Sequence, residues 1–279
     1  MTNLESIPES GYYVDKFGTY EPHRFAVIKI GGGIIGNPEQ LTAMADALVQ
    51  IQSHNLYPTI VHGGGDQIDE ALAARGYSSE RDSKDLRITP TGHMPVIQSV
   101  LRGVNIKMCH AVRQQGGGTY SVIDIFEALL SDYSNLASVS AITHINTEPI
   151  AAALAAAELP IVSCIGHLAM KGCKQAVNIN ADIAATALAK TMRPHKFVFL
   201  TPVGAIYDSK GKPISKISDV ELEHKIDNKE ITGGMAVKAR SVIEALVDVE
   251  HVVITSPKHL IKEFFSHGGA GTLIYRAPQ

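Results

Sequence analysis

Residues 27–33 read VIKIGGG, and residues 58–72 read PTIVHGGGDQIDEAL. Each is an apolar strand running into three glycines, and in the second the glycines open onto an amphipathic helix. A triple glycine between a buried strand and a helix start leaves bare backbone N–H groups facing outward. The helix N-terminus adds a positive partial charge, so each turn suits an anion. Two such turns in the first quarter of the chain point to two anionic groups held face to face, the arrangement of a transfer reaction.

Working outward, the chain keeps alternating strand and helix. A polar, Tyr-containing arm covers residues 1–23, and its Gly18 and Pro22 exclude a long continuous helix. After FAVIKI come a helix near Pro38–His54, the TIVH strand, and a helix near Gln67–Arg75. GYSSERDSKDLRITP carries turn formers and is expected to hold a hairpin or lid. Helical periodicity predicts two helices, over Pro95–Gly103 and Asn105–Gln115. TEPIAAALAAAEL is a further helix with Thr147 as its N-cap, and PIVSCIG a strand ending at Gly166. AVNIN, the helix ADIAATALAKTM, the strand KFVFLT, the helix GGMAVKARSVIEALV and the strand HVVITS complete the series. The pattern predicts an α/β fold: an open, mostly parallel sheet sandwiched between helices, with ligands at the carboxyl ends of the strands. A change of lobe is expected near residue 180.

Composition narrows the function classes. A net charge of -3 and a pI near 6.5 do not supply the basic face that a nucleic-acid partner needs. No run of about 18 uncharged apolar residues is present to span a membrane. The opening residues lack the basic and apolar regions of a signal peptide. Cys109, Cys164 and Cys173 form no CxxC pair and read as reduced thiols of a cytoplasmic protein. His62 ends a strand beside glycines and reads as a structural histidine supporting its neighbours.

Several side chains could carry chemistry. Lys29 lies in an apolar strand just before the glycines, where an ammonium costs desolvation energy unless an anion meets it; otherwise its stem packs and its amine snorkels. The order differs from the Walker loop, whose lysine follows the glycines. NINADIAA places Asn178 and Asn180 on one face of an extended segment, with Asp182 in the first helical turn, where plain capping is the competing reading. Lys238, one turn inside the helix opened by Gly233 and Gly234, is by itself an ordinary surface lysine. Arg87 is an exposed arginine unless a carboxylate meets its planar fork.

FAVIKIGGG, VHGGGDQIDE, LRITP, VNINADIAATALA, PHKFVFLTPVGAIYD, ITGGMAVKA and GGAGTLI, in this order from Phe25 to Ile274, resemble the amino acid kinase family. Within it the resemblance is strongest to acetylglutamate kinases, including the kinase lobes of fungal enzymes and of bacterial enzymes fused to a synthase. It implies an eight-stranded, mostly parallel sheet, with the acyl acceptor in an N-terminal lobe (24–180) and ATP in a C-terminal lobe (181–279). Lys29 and Lys238 would clamp the transferred phosphate, and Asp182 would hold both lysines. Gly31, Gly32 and Gly33 would meet ATP phosphates, and Gly63, Gly64 and Gly65 the acceptor. Arg87 and Asn178 would grip its carboxylates, with Asn180 nearby. Thr201, Pro202, Gly204 and Tyr207 would line the nucleotide pocket beside Gly233, Gly234 and Met235. Mg²⁺ would be held mainly by the nucleotide's phosphates and water, with no protein carboxylate cage. N-acetyl-L-glutamate and ATP are the implied small-molecule partners, and a homodimer or larger homo-oligomer the implied assembly.

The middle segment RQQGGGTYSVIDIFEALLSDY lacks the glycine- and aspartate-rich stretch of many bacterial acetylglutamate kinases. Asp66 stands where proline is common, and LTPVGA replaces a more acidic loop. No acetyltransferase domain follows Gln279, so the chain is expected not to make acetylglutamate itself. Two alternatives stay open on the sequence: a kinase for another small carboxylic acid, and a catalytically silent, arginine-sensing or regulatory lobe.

Overall fold

The segment before the first glycine turn forms the central strand, β1 (Ala26–Ile30). The computed structural model describes residues 3–82, 85–130, 139–170 and 175–278. The other strands are β2 (Thr59–His62), β3 (Thr119–Val122), β4 (Phe126–Leu130), β5 (Val139–Ile145), β6 (Leu159–Ser163) and β7 (Ile165–Leu168). Beyond them lie β8 (Ala176–Asn178), β9 (Lys196–Leu200), β10 (Ile206–Tyr207), β11 (Pro213–Ile214), β12 (Lys216–Ser218), β13 (Val252–Thr255) and β14 (Thr272–Tyr275). Helices are α1 (Ser10–Gly18), α2 (Gly32–Ile35), α3 (Pro38–Gln52), α4 (Gly65–Ala73) and α5 (Met94–Gln114). They continue as α6 (Glu148–Ala155), α7 (Ala181–Met192), α8 (Asp219–Asp227), α9 (Gly233–Ala245) and α10 (Leu260–Phe265).

Eight strands form one sheet in the order β12-β14-β13-β9-β1-β2-β6-β3. All neighbours are parallel except β13 and β14. This is the open, mostly parallel sheet the alternation predicts. Strand period two sorts its side chains into two cores. Val27, Val61, Val162, Phe197, Phe199, Val252 and Ile254 face one cluster, which includes α7 and α9. Ile28, Ile30, Ile60, Ile161, Val198 and Leu200 face the other, covered by α3 and α10. Helices therefore cover both faces, as parallel sheets require.

Register aligns the carboxyl ends. Ile30 stands opposite His62 on β2 and Leu200 on β9, and Leu200 opposite Thr255 on β13. From β1 the chain winds to β2 on one side, while β9 closes on the other. The strand order thus reverses beside β1, which is where a crevice opens in such sheets.

Several local expectations are revised. Residues 94–114 form one helix, because the stripe Ile97, Leu101, Val104, Met108 and Val112 is buried continuously through Gly103; that burial outweighs the glycine's cost of about 1 kcal/mol. The Ala-rich helix is shorter than TEPIAAALAAAEL, ending at Ala155 before Ala157 turns to φ +56°. Thr147 stands at its N-cap as expected, but the Glu148 N–H is met by Asn146 Oδ1 at 3.1 Å and not by the Thr147 hydroxyl. PIVSCIG is two strands, since the chain leaves the large sheet at Cys164 and enters a second sheet, β5-β4-β7-β8. Gly166 makes that crossing possible: a Cβ there would lie 2.7 Å from both Phe126 O and Ile179 Cδ1. The segment after α4 narrows to a single bridge between Arg81 and Arg87, with Ser83 and Lys84 outside the described residues. In the arm, α1 ends at Gly18, and Phe17 packs on Phe25, Phe264 and Phe265.

Candidate active site

Lys29 shares the face of Val27 and Phe199, toward α7 and α9, and that placement decides its partner. Its Nζ lies 2.6 Å from Asp182 Oδ1. Lys238, from the first turns of α9, reaches the same carboxylate at 3.1 Å to each oxygen and sits 5.1 Å above the Phe199 ring. The three side chains are 8–12% exposed. Neither bland reading survives: Lys29 does not snorkel to water, and Lys238 is not a surface lysine. Burial pushes the Asp182 carboxyl up, but the two lysines outweigh it and hold the group at about 2. Burial pulls Lys238 down to about 8 even though Asp182 supports its charge. One negative charge thus faces two positive ones, leaving the clamp cationic and poised for an anion.

Asp182 is placed by its helix. Asn180 caps α7, its Oδ1 accepting from Asp182 N at 2.8 Å and Ile183 N at 3.3 Å. The capping reading of Asn180 therefore holds, and capping is also what fixes Asp182 beneath the lysines.

Both glycine turns meet this clamp. A Cβ on Gly31 would lie 3.8 Å from Lys29 Nζ, and one on Gly63 would lie 3.0 Å from Ala181 Cβ. Gly63 N donates to Ile30 O at 3.0 Å, so it ties the second turn to the first and is not open to a ligand. The N–H groups of Gly32, Gly33, Gly64 and Gly65 find no acceptor among the described residues. His62 is wholly buried beneath the second turn, where burial lowers its pKa to about 4. Its Nδ1 bonds Gly63 O at 3.0 Å, and Asn105 Nδ2 lies 3.1 Å from Nε2 while also donating to Ile161 O at 2.8 Å. A neutral, network-held imidazole is a support, as its position beside the glycines implied.

One cavity of about 450 Å³ joins these groups. Lys29, Asp182, Lys238, Gly31, Gly32, Gly33, Gly63, Gly64, Gly65, Arg87, Asn178, Asn180, Thr201, Pro202 and Met235 all line it. Gly204, Tyr207 and Gly233 do not. Gly204 (φ +81°) is pressed against Ser256, and the Tyr207 hydroxyl donates to Val203 O at 3.2 Å from an exposed ring. Arg87 is not exposed. Its side chain is 7% accessible and is held by Asp69, Ser79 and the Gly65 carbonyl. Asn178 Nδ2 donates to Thr89 Oγ1 at 3.4 Å.

Asp69, Ser79 and Arg81 enter the site without any local sequence signal, because they come from a helix and a loop whose meeting only the fold sets. Asp66 had one signal, its unusual place after the glycines. Its Oδ2 lies 3.0 Å from where a Gly32 Cβ would be. Cys109 and Cys164 are buried free thiols, and burial pushes Cys164 up to about 12; Cys173 lies outside the described residues. Among the described residues, no helix is long and apolar enough to cross a membrane.

A lysine–carboxylate–lysine clamp lies at the switch point of a parallel sheet, between two glycine turns that line the same cavity, and its excess positive charge suits an anion. Residues 24–256 match the family model of the amino acid kinase family, and the chain belongs to that family. It is 33% identical over 278 residues to the acetylglutamate kinase of Xylella fastidiosa, covering 98% of this chain and 65% of that protein. The acetylglutamate kinase of Campylobacter jejuni is 33% identical over 279 residues, covering 97% of this chain and 96% of that one. The chain spans about two thirds of the length of the relatives it matches first. N-acetylglutamate synthase from Neisseria gonorrhoeae superposes with a TM-score of 0.82 at 20% identity, over 97% of this chain and 63% of that one, which shows the shared fold.

Proposed function

We propose that the chain is an ATP-dependent kinase that phosphorylates the γ-carboxylate of N-acetyl-L-glutamate, giving N-acetylglutamyl 5-phosphate and ADP, the second step of arginine synthesis. The observation that carries this is the Lys29–Asp182–Lys238 clamp lying between two glycine turns that line one cavity. Relatives named acetylglutamate kinase, matched along nearly the whole chain, support this choice of substrate.

In this reading the acceptor occupies the lobe of residues 24–180 and the nucleotide that of residues 181–279, with residues 1–23 as an arm. The acceptor's carboxylate is ionised at neutral pH and needs no general base. One of its oxygens attacks the γ-phosphorus as the bond to the β,γ-bridging oxygen breaks, and ADP leaves with that electron pair. No proton is transferred. The two ammonium groups and the N–H groups of Gly32, Gly33, Gly64 and Gly65 face the equatorial oxygens, so the chain contributes positioning and charge neutralisation. Arg87 and Asn178 hold the acceptor's other carboxylate.

Among the described residues, no three His, Cys, Asp or Glu gather into a cation cage. In this reading Mg²⁺ would arrive on the nucleotide's phosphates and add positive charge there. The intact clamp supports catalysis over a silent regulatory lobe. A cytoplasmic, homo-oligomeric enzyme is part of the same reading.

A coupled ADP-release assay with N-acetylglutamate, glutamate, aspartate and carbamate tests the proposal. Turnover on N-acetylglutamate is expected. Turnover confined to another acid would keep the fold and defeat the substrate.

A further inference from the structure

The three contacts to Arg87 leave a definite part of its guanidinium free. Nη1 donates to Asp69 Oδ1 and to Ser79 Oγ, and Nη2 donates to Gly65 O at 3.2 Å. A guanidinium has five N–H donors, two on each Nη and one on Nε. Three are committed, so the Nε donor and one Nη2 donor remain. Nε and Nη2 form the side-on edge of the planar fork, whose two N–H directions are spaced for the two oxygens of a carboxylate when the Gly65 carbonyl takes the other Nη2 hydrogen. Arg87 lines the cavity, and no acceptor among the described residues takes that edge.

The anchors belong to different elements. Asp69 stands on α4 one turn after Gly65, so it is carried by the same helix that presents the second glycine turn. Ser79 comes from the loop beyond. Asp69 also meets Arg81 Nη2 at 3.4 Å through its second oxygen, so both of its oxygens are engaged by arginines. Partial desolvation pushes the Asp69 carboxyl up, but hydrogen bonds from Arg87 and Ser79 prevail and hold it below the usual carboxylate range. It is therefore a permanent acceptor at neutral pH.

We propose that Asp69, assisted by Ser79, is a positioning residue that turns the Nε edge of Arg87 into the cavity and thereby makes this end of the site select a carboxylate. The inference rests on the acceptor reading above and extends it to specificity. Without the Asp69 charge, the guanidinium can rotate its fork, and the preference for a carboxylate over a neutral group of the same shape weakens. Asp69 touches no substrate. It acts through Arg87.

The test uses N-acetylglutamate and its α-amide as a matched pair, with Asp69→Asn, Asp69→Glu and Ser79→Ala. Asp69→Asn is expected to raise KM for the acid about tenfold, the scale of one misaligned charge-assisted hydrogen bond. KM for ATP and kcat should change far less. The acid-to-amide discrimination should fall by about the same factor as KM rises, because amide binding never used the bidentate edge. Ser79→Ala should act in the same direction and more weakly, and Asp69→Glu should restore part of the discrimination. A variant that loses thermal stability yet keeps the wild-type ratio would show Asp69 to be structural only, and a lower KM would show that it competes with substrate; either overturns the proposal. Wild-type turnover on N-acetylglutamate judges the functional reading separately. Calorimetric binding of the acid and amide without ATP judges Asp69 whatever that assay returns, and equal affinities in wild type, or an unchanged ratio in Asp69→Asn, overturn it.

Discussion

Replacing Asp182 by Asn removes one charge and almost no volume. Both lysines contact the same carboxylate oxygen, at 2.6 and 3.1 Å, so their nitrogens are at most about 6 Å apart. At that separation and an effective dielectric near 20, two positive charges repel by about 3 kcal/mol. Breaking a buried ion pair in general costs about 3–5 kcal/mol. The variant should therefore lose about 3 kcal/mol or more at pH 6, below the value of about 8 at which Lys238 titrates. The loss must shrink as pH rises. Lys238 already titrates near 8, pulled down by burial and supported by Asp182; without that carboxylate it releases its proton lower still. A lysine whose folded pKa lies below its unfolded value costs stability at low pH, and the cost fades as pH climbs through the folded value. Wild-type Asp182, held at about 2, stays ionised between pH 6 and 9, so its own contribution is constant there. Urea unfolding of both proteins at pH 6 and pH 9 reads the difference directly. A deficit below about 1 kcal/mol at pH 6, or an equal deficit at both pH values, would refute the shared-carboxylate argument.

Other outcomes follow from the same geometry. If the Lys238 ammonium faces the phosphate, kcat/KM should fall above about pH 8, and the limb should move up in Lys238→Arg or once nucleotide is bound; a profile flat to pH 9.5 would exclude that role. Gly65→Ala meets nothing within 4 Å and should leave the melting temperature unchanged while raising KM for the acceptor, whereas Gly63→Ala, with its Cβ 3.0 Å from Ala181 Cβ, should lower the melting temperature. Asp66 sets a carboxylate beside the first glycine turn, so Asp66→Asn should tighten nucleotide binding, by about 1 kcal/mol for one charge across 4 Å of water, and high salt should erase the gain. Calorimetric titration with ADP at two salt concentrations measures it, and weaker binding in the variant would reverse the assigned sign.

Legibility in the sequence followed the range of the interaction. The glycine turns, the parallel sheet and the Asn180 cap are written locally, in period-two apolar runs and strand-to-helix junctions, and they could be read from the chain alone. Cys164 and Gly166 could not: nothing in PIVSCIG marks the point where one strand becomes two, because the cause is a second sheet assembled from β4, β5 and β8. Gly103 failed for a related reason, since a continuous buried stripe overrode the glycine, and Thr147 holds the N-cap position while a neighbouring Asn supplies the hydrogen bond. Arg87 was visible as a residue type. Its burial against Asp69 and Ser79 was not, because those contacts depend on how the loop after α4 folds back.

The clamp shows why no segment of the chain announces the site by itself. Each lysine in isolation is a liability, an ammonium in an apolar setting, and NINADIAA in isolation is a capped helix. Strand period places Lys29 on the α7 side of β1, the cap places Asp182 at the start of α7, and the β9–β13 crossover brings α9 over Phe199 with Lys238. Only when all three meet is the desolvation of the two cations offset, and then incompletely, since one carboxylate answers two ammonium groups. That unbalanced positive charge, beside four backbone N–H groups that find no acceptor among the described residues, is stabilised further only by an anion. The residual charge that makes the free site costly is therefore the same charge that, in the proposed reaction, would bind a phosphoryl group in transit, which is why loss of Asp182 should damage folding and transfer together.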